Sequence, residues 1–275
     1  MAQQPAIEPM HQFMVHKIVD LPPVHIGGFA LDLSITNSVV TMFAGALILI
    51  LFFVLTARRE IVPNRGQALA ESLYNIVDRV LVGPIIGRGG KPYVPYIFTL
   101  FLVILVLNLM SGVLAIGNVG GLDLTFAVTA QLAVTATLAV LTFFSVFILG
   151  FVKHGPKFVG IFAPSGMPKV MLIFMVPIEM LSYFVRPVTL AMRLFGNMLG
   201  GHVVMSLFGS FVVALGIVAL SGGVATLAVI PSALSFGMIV ALTGLELVIA
   251  VLQAFVFAAL ATVYLNEVVN FGHGH

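Results

Sequence analysis

VMLIFMVPIEMLSYFVRPVTLAMRLFGNMLGGHVVMSLFGSFVVALGIVAL, residues 170–220, is an apolar run too long for one upright crossing of a membrane. At about 1.5 Å per residue a straight helix over it would extend roughly 77 Å, against about 30 Å of bilayer hydrocarbon. A second run, about 224–265, follows after Ser221, Gly222 and Gly223, and would extend roughly 63 Å. Either each run holds two short spans, or each is one strongly tilted and kinked helix. Pro177, Pro187, Gly196, Gly200, Gly201 and Pro231 are the natural bend points.

Working toward the N-terminus, uncharged stretches at about 125–152, 93–117 and 36–57 each have the length of an ordinary span. The segment between the first two spans, 60–91, is more polar. Its apolar residues Ala68, Leu69, Leu73, Ile76, Val77, Val80 and Leu81 recur at helical spacing opposite Glu71, Asp78 and Arg79, the pattern of an amphipathic helix at the membrane surface. Residues 1–35 hold four prolines and three histidines and no compact apolar stretch, so they predict an outward-facing segment without a signal peptide. The expected architecture is an all-α polytopic membrane protein, a single domain over 1–275, since no repeat is evident.

Composition agrees with that class. Of 275 residues, 60% are hydrophobic and 8% charged, far less charge than a water-soluble fold of this size exposes. Twelve Lys and Arg against ten Asp and Glu give a net charge of +2, which predicts no nucleic-acid partner. The absence of cysteine excludes thiol catalysis and thiolate metal sites. No GxSG, HExxH, P-loop or dinucleotide motif occurs, so no nucleotide, metal or cofactor is expected on this chain, and no catalytic chemistry.

The basic residues report topology. Arg58, Arg59, Arg65, Arg79, Arg88 and Lys91 fall in one connection and Lys153, Lys157 and Lys169 in another, whereas the 118–124 turn has none. By the positive-inside rule these two connections face the cytoplasm. An odd number of crossings then puts the N-terminus outside and the 266–275 tail, with His273 and His275, inside.

Inside the two long runs sit Glu179, Arg186, Arg193, His202 and Glu246, with the amides Asn197 and Gln253. A charge near the bilayer centre costs about 2.5–3.5 kcal/mol on insertion scales, so such residues mark a pathway or a site. Arg186 and Glu179 are also placed where they could snorkel to an interface; Arg193, near the middle of its run, is not. Glu179, Arg186 and Arg193 are spaced by seven and share one stripe of a continuous helix, with Asn197 a turn further on. His202 points to the opposite face, and Glu246 and Gln253 share a stripe on the second run. Imidazole and carboxylate pass protons near neutral pH, while guanidinium stays charged and acts as a fixed cation. The set reads as a proton pathway with an electrostatic barrier.

RLFGNMLGGH from Arg193 and LELVIAVLQAFVFAALATVYL from Leu245 resemble the subunit a family of the F-type ATP synthase, most strongly over 175–266. The resemblance implies that the long runs form tilted, nearly membrane-parallel helices in a hairpin, curved against a rotating ring of subunit c, beside three spans and the amphipathic helix. It places Arg193 at the essential arginine facing the ring. His202 and Glu246 fall at a pair in the outer half-channel, in the order found in mitochondrial-type members. Glu179 falls in the cytoplasmic half-channel, Asn197 and Gln253 at amides near the arginine, and Asp123 at the outer mouth, where a solvated turn residue is the plainer reading. The implied partners are the subunit c ring, the peripheral stalk of subunit b or b/b′, the remaining synthase subunits and the lipid bilayer of a bacterial inner membrane or its equivalent. Two other readings of the same residues are a stand-alone ion-coupled secondary transporter, which more often shows a paired repeat, and a structural membrane scaffold.

Overall fold

The computed structural model describes residues 17–19, 24–26, 29–31, 34–56, 63–112, 128–162, 169–220 and 228–270. Among these, α1 spans Asn37–Thr56, α2 Arg65–Ile76, α3 Gly83–Ile86, α4 Val94–Gly112, α5 Leu132–His154, α6 Lys169–Leu220 and α7 Val229–Val269. Five helical stretches are long and apolar enough to cross a membrane, and the chain is an all-α polytopic membrane protein apart from short strands ahead of α1. There β1 (Lys17–Val19) pairs antiparallel with β4 (Ile35–Thr36), and β2 (Val24–Ile26) with β3 (Phe29–Leu31). The sequence reading assigned these strands no structure.

Each of the two long runs is a single helix. α6 has 52 residues and α7 has 41, so the alternative of two short spans in each is excluded. Pro177 and Pro187 lie within α6, where each removes one backbone donor and crowds the preceding turn. A helix of that length cannot stand upright within about 30 Å of hydrocarbon. α7 also runs to Val269, four residues past the limit of 265 expected from hydropathy, so the start of the assigned tail is helical.

α1 shows why the fold suits lipid. Its buried residues are Asn37, Ser38, Thr41 and Gly45, while Phe43, Leu47, Ile50 and Val54 are exposed, an inverted amphipathicity with small and polar side chains inward. α2 falls within the 60–91 segment whose periodicity predicts an amphipathic helix. Asn64 caps it, its side chain accepting from the Arg65 amide at 2.7 Å, and no residue in it is buried. A π turn over Val77–Val82 follows and buries Val77, Leu81 and Val82, anchoring the segment before α3.

Packing divides the chain into two compact units, and α1, α4, α6 and α7 each contribute one part to each. The first takes residues up to Ala46, Val106–Gln131 and Phe195–Leu252. In it Ala130, Met198 and Ala250 form a core flanked by Leu109 and Leu199. Gly45 lets α1 approach α4: a Cβ there would sit 3.1 Å from Leu107 and 3.3 Å from Met110.

The second unit takes Leu47–Leu105, Leu132–Leu194 and the chain from Gln253. Its core joins Phe143, Phe162 and Tyr183, with Phe147 stacked on Phe143 at 5.8 Å. Ala254, Ala258 and Ala261 on α7 are fully buried, a small-residue stripe that admits close neighbours. The C-terminal end of α7 is held by α5: Lys153 Nζ donates to the Val269 carbonyl at 3.0 Å and His154 Nε2 to that of Val268 at 2.8 Å. These groups satisfy carbonyls in the last turn of α7, and a cation there also suits the helix dipole.

Gly150 of α5 faces the Phe158 ring so closely that a Cβ would lie 2.5 Å from it. Gly150→Ala is expected to cost about 1–3 kcal/mol by overpacking. An SDS unfolding titration of the purified chain checks this, and an unchanged midpoint would contradict the packing described.

Candidate functional site

α6 and α7 pair antiparallel within each unit, and the polar residues inside them meet across that pairing. In the first unit Ser232 Oγ donates to the Val212 carbonyl at 3.2 Å, and Thr243 Oγ1 approaches Met205 Sδ at 3.7 Å. One turn further along α7, Glu246 meets His202, with Oε1 and Nε2 3.4 Å apart and both side chains nearly buried. That separation is Coulombic contact without hydrogen-bond geometry. Neither Glu246 oxygen has a hydrogen-bond partner among the described residues, so this buried carboxylate has open acceptor capacity for a proton or a water.

His202 Nε2 has a shorter contact, 2.6 Å to Ser111 Oγ in the last turn of α4. One turn earlier Asn108, fully buried, donates from Nδ2 to the Ala250 carbonyl at 3.2 Å. Sequence reading missed both residues. They sit in an ordinary-looking span, where a single Ser or Asn costs little, although their three-residue spacing does put them on one helix face. Gly201 completes the set, since a Cβ there would stand 3.2 Å from Glu246 Oε1. Only glycine leaves the carboxylate its present place without displacement.

In the second unit Arg186 is the hub. Its Nη1 donates to both oxygens of Glu267, at 2.6 and 2.8 Å, and its Nη2 lies 3.7 Å from Glu179. The guanidinium also lies over the rings of Tyr183 and Tyr264, at 5.6 and 5.5 Å. Glu267 was missed because the apolar run was closed at 265. The signal was available: Glu246, Gln253 and Glu267 recur at multiples of seven and share one stripe of α7.

Arg193 is different. Its side chain is exposed, and its guanidinium has no salt bridge among the described residues. Gln253 Nε2 reaches Arg193 only at its backbone carbonyl, at a long 3.4 Å, so this amide steadies the helix and does not hold the guanidinium. Asn197, a turn further along α6, is exposed too. Cβ atoms at Gly196 and Gly200 would meet nothing within 4 Å, leaving open helix surface beside the arginine. Asp123 lies outside the described residues.

Among the described residues no group of three His, Cys, Asp or Glu could hold a metal ion. The first unit offers a buried His–Glu–Ser set, and the second a clasped Arg–Glu–Glu set and a cation, Arg193, with no salt bridge among the described residues.

Comparison with known proteins gives a consistent picture. The family model for the ATP synthase A chain matches residues 38–266. The chain is 42% identical over 270 residues to ATP synthase subunit a of Rhizobium johnstonii, covering 98% of this chain and 99% of that protein. It is 40% identical over 271 residues to the Mesorhizobium japonicum protein of that name, covering 97% and 98%. Against that of Rhodopseudomonas palustris strain TIE-1 it is 41% identical over 268 residues, covering 98% and 100%.

The Arg186–Glu267 clasp can be measured as a coupling energy. Arg186→Gln and Glu267→Gln are each expected to lower stability by about 1–3 kcal/mol, the range for hydrogen bonds to charged groups. The double variant should lose clearly less than their sum. Unfolding titrations of the three variants check this, and strict additivity would dissolve the clasp.

Proposed function

The chain belongs to the ATP synthase A chain family, and from that membership we propose that it is the stationary proton-conducting subunit of an ATP synthase. It couples proton flow to rotation of a ring of carboxylate-bearing subunits, while the catalytic phosphate chemistry lies on other chains of the complex. A peripheral stalk of subunit b or b/b′ holds it still. The observation that carries this reading is Arg193: a permanent cation, exposed near the middle of a long apolar helix and unpaired within the described residues. Such a charge is costly in hydrocarbon, so its partner comes from another molecule. Only 6% of the most apolar window of α6 is buried, against 44% for α7, which leaves α6 as the helix with a face to offer.

The mechanism follows from electrostatics. A ring carboxylate passing Arg193 is stabilised in its ionised form and gives up its proton. Away from the arginine an ionised carboxylate cannot enter lipid, so it must be reprotonated before it turns outward. Arg193 also repels a proton crossing directly from one side to the other. Rotation then has a direction only if protons arrive and leave by separate routes.

The two polar sets supply those routes. With the basic 58–91 connection taken as cytoplasmic, α4 leads outward and carries Ser111 in its last turn, so the Ser111–His202–Glu246 set serves the outer half-channel, with Asn108 beside it and Asp123 at its mouth. α5 leads back inward and ends at the Lys153 and His154 contacts, so Glu179, with Arg186 and Glu267, serves the cytoplasmic half-channel. Arg186, which cannot titrate, holds Glu267 and leaves Glu179, the more loosely bound carboxylate, as the relay. Asn197 and Gln253 shape α6 and α7 around Arg193. The N-terminus lies outside and the C-terminal tail in the cytoplasm. α6 and α7 lie strongly tilted, close to the membrane plane.

Arg193→Ala is expected to abolish ATP-driven proton pumping in inverted membrane vesicles while the complex still assembles; normal pumping by this variant would overturn the mechanism. Glu246→Gln and Ser111→Ala are expected to slow proton delivery and to move the pH profile of ATP synthesis, the former more strongly because it removes a carboxylate that can carry a proton. An unmoved profile in both would leave the set a structural one.

A further inference from the structure

In the second unit the last turn of α7 is a junction of several segments. Lys153 and His154, the final residues of α5, donate to the Val269 and Val268 carbonyls at 3.0 and 2.8 Å. Asn270 Nδ2 donates to the Ile86 carbonyl at the end of α3, at 3.3 Å, and to Asn266 Oδ1 at 2.6 Å. Gly89 lies close by, where a Cβ would stand 3.4 Å from Val269 Cγ1. From this same turn Glu267 reaches Arg186 of α6.

These bonds divide the placement of the turn between them. Helix carbonyls point along the axis toward the C-terminus, so Lys153 and His154 set where along that axis the turn sits. Asn270 projects sideways and sets its rotation. Both bonds from α5 go to main chain and so act on the helix itself. A carbonyl only accepts, so His154 Nε2 carries a proton whether the ring is neutral or charged, and the bond persists through titration of the ring.

Glu267 depends on that placement. Its oxygens lie 2.6 and 2.8 Å from Arg186 Nη1, whereas Glu179 lies 3.7 Å from Nη2. A group at the outer radius of a helix, about 5–6 Å, moves by about 3 Å when its turn rotates by about 30°, enough to break both bonds to Glu267. The released guanidinium would have Glu179 at hand to pair with. Tyr183 and Tyr264, the other ionisable side chains described against Arg186, offer it only their ring faces. Two carboxylates thus compete for one guanidinium, and the seat of the last α7 turn decides which of them holds it.

We propose that Lys153 and His154 are positioning residues for the Arg186–Glu267 clasp: by fixing the last turn of α7 they keep Glu267 on the guanidinium and Glu179 from taking its place. The consequence for proton transfer rests on the reading of Glu179 as a relay, whereas the positioning itself does not.

Two measurements test this, one without proton transfer and one with it. In the purified full chain the Arg186–Glu267 coupling is read from a double-mutant cycle of unfolding titrations. Repeated in a Lys153→Met, His154→Phe background, the coupling constant is expected to fall about fivefold. Lower stability with undiminished coupling is what a contact that only adds stability gives, and it would overturn the proposal. Lys153→Met alone, a milder change, should lower the coupling less, and Lys153→Arg, which keeps a cation and its donors, should retain it. In inverted vesicles holding the assembled complex, the pH profile of ATP-driven proton pumping should move in the Lys153→Met, His154→Phe variant in the same direction as in Glu267→Gln, and stay in place in Lys153→Arg. A profile that moves in Glu267→Gln but not in the paired α5 variant would also overturn the proposal. If the coupling falls and neither profile moves, the positioning stands and the relay reading of Glu179 is what fails.

Discussion

Hydrocarbon does not solvate charge, and that constraint organises this molecule. Every ionisable group placed in it must find a counter-charge, a polar contact or water, or raise the energy of the fold. Arg186 meets the requirement with Glu267, Glu179 and two tyrosine faces. His202 meets it with Ser111 and the nearby Glu246. Arg193, exposed on α6, has no salt bridge among the described residues.

Close helix approach is the second requirement, because water does not drive helices together in lipid and packing must do so. The chain places its small residues accordingly. Asn37, Thr41 and Gly45 turn inward on α1, and Ala254, Ala258 and Ala261 on α7. At Gly201 the missing side chain serves both packing and chemistry, since it is what lets Glu246 lie against α6 beside His202. The apolar bulk faces outward, the reverse of a water-soluble core.

Much of this was legible in the sequence because membrane segments obey a strong length rule. The three ordinary spans fall within a few residues of their hydropathic limits at most ends, and α6 begins and ends almost where its apolar run does. Hydropathy alone could not decide whether 52 residues make one helix or two, because Pro177 and Pro187 permit either. The seven-residue stripe on α6 grouped Glu179 with Arg186, which lie 3.7 Å apart, while the stripe of Glu246 and Gln253 on α7 was not extended to Glu267 because polar residues near a helix end look like a tail. Ser111 and Asn108 were invisible for a different reason. One small polar residue in a span has no signature of its own, and only the facing helix gives it meaning. Gln253 was assigned to the arginine and does contact it, but at the backbone, a distinction that spacing cannot make.

The antiparallel order of α6 and α7 has a consequence for how such a gene can change. Val212 with Ser232 and His202 with Glu246 are rungs in the first unit, and Arg193 with Gln253 and Arg186 with Glu267 are rungs in the second. Replacing a residue at one rung leaves the others in place. Adding or removing a single codon between Arg186 and Val212, or between Ser232 and Glu267, instead rotates everything beyond it by about 100° and unseats several rungs together. The interior of each paired stretch therefore tolerates a change of letter better than a change of count.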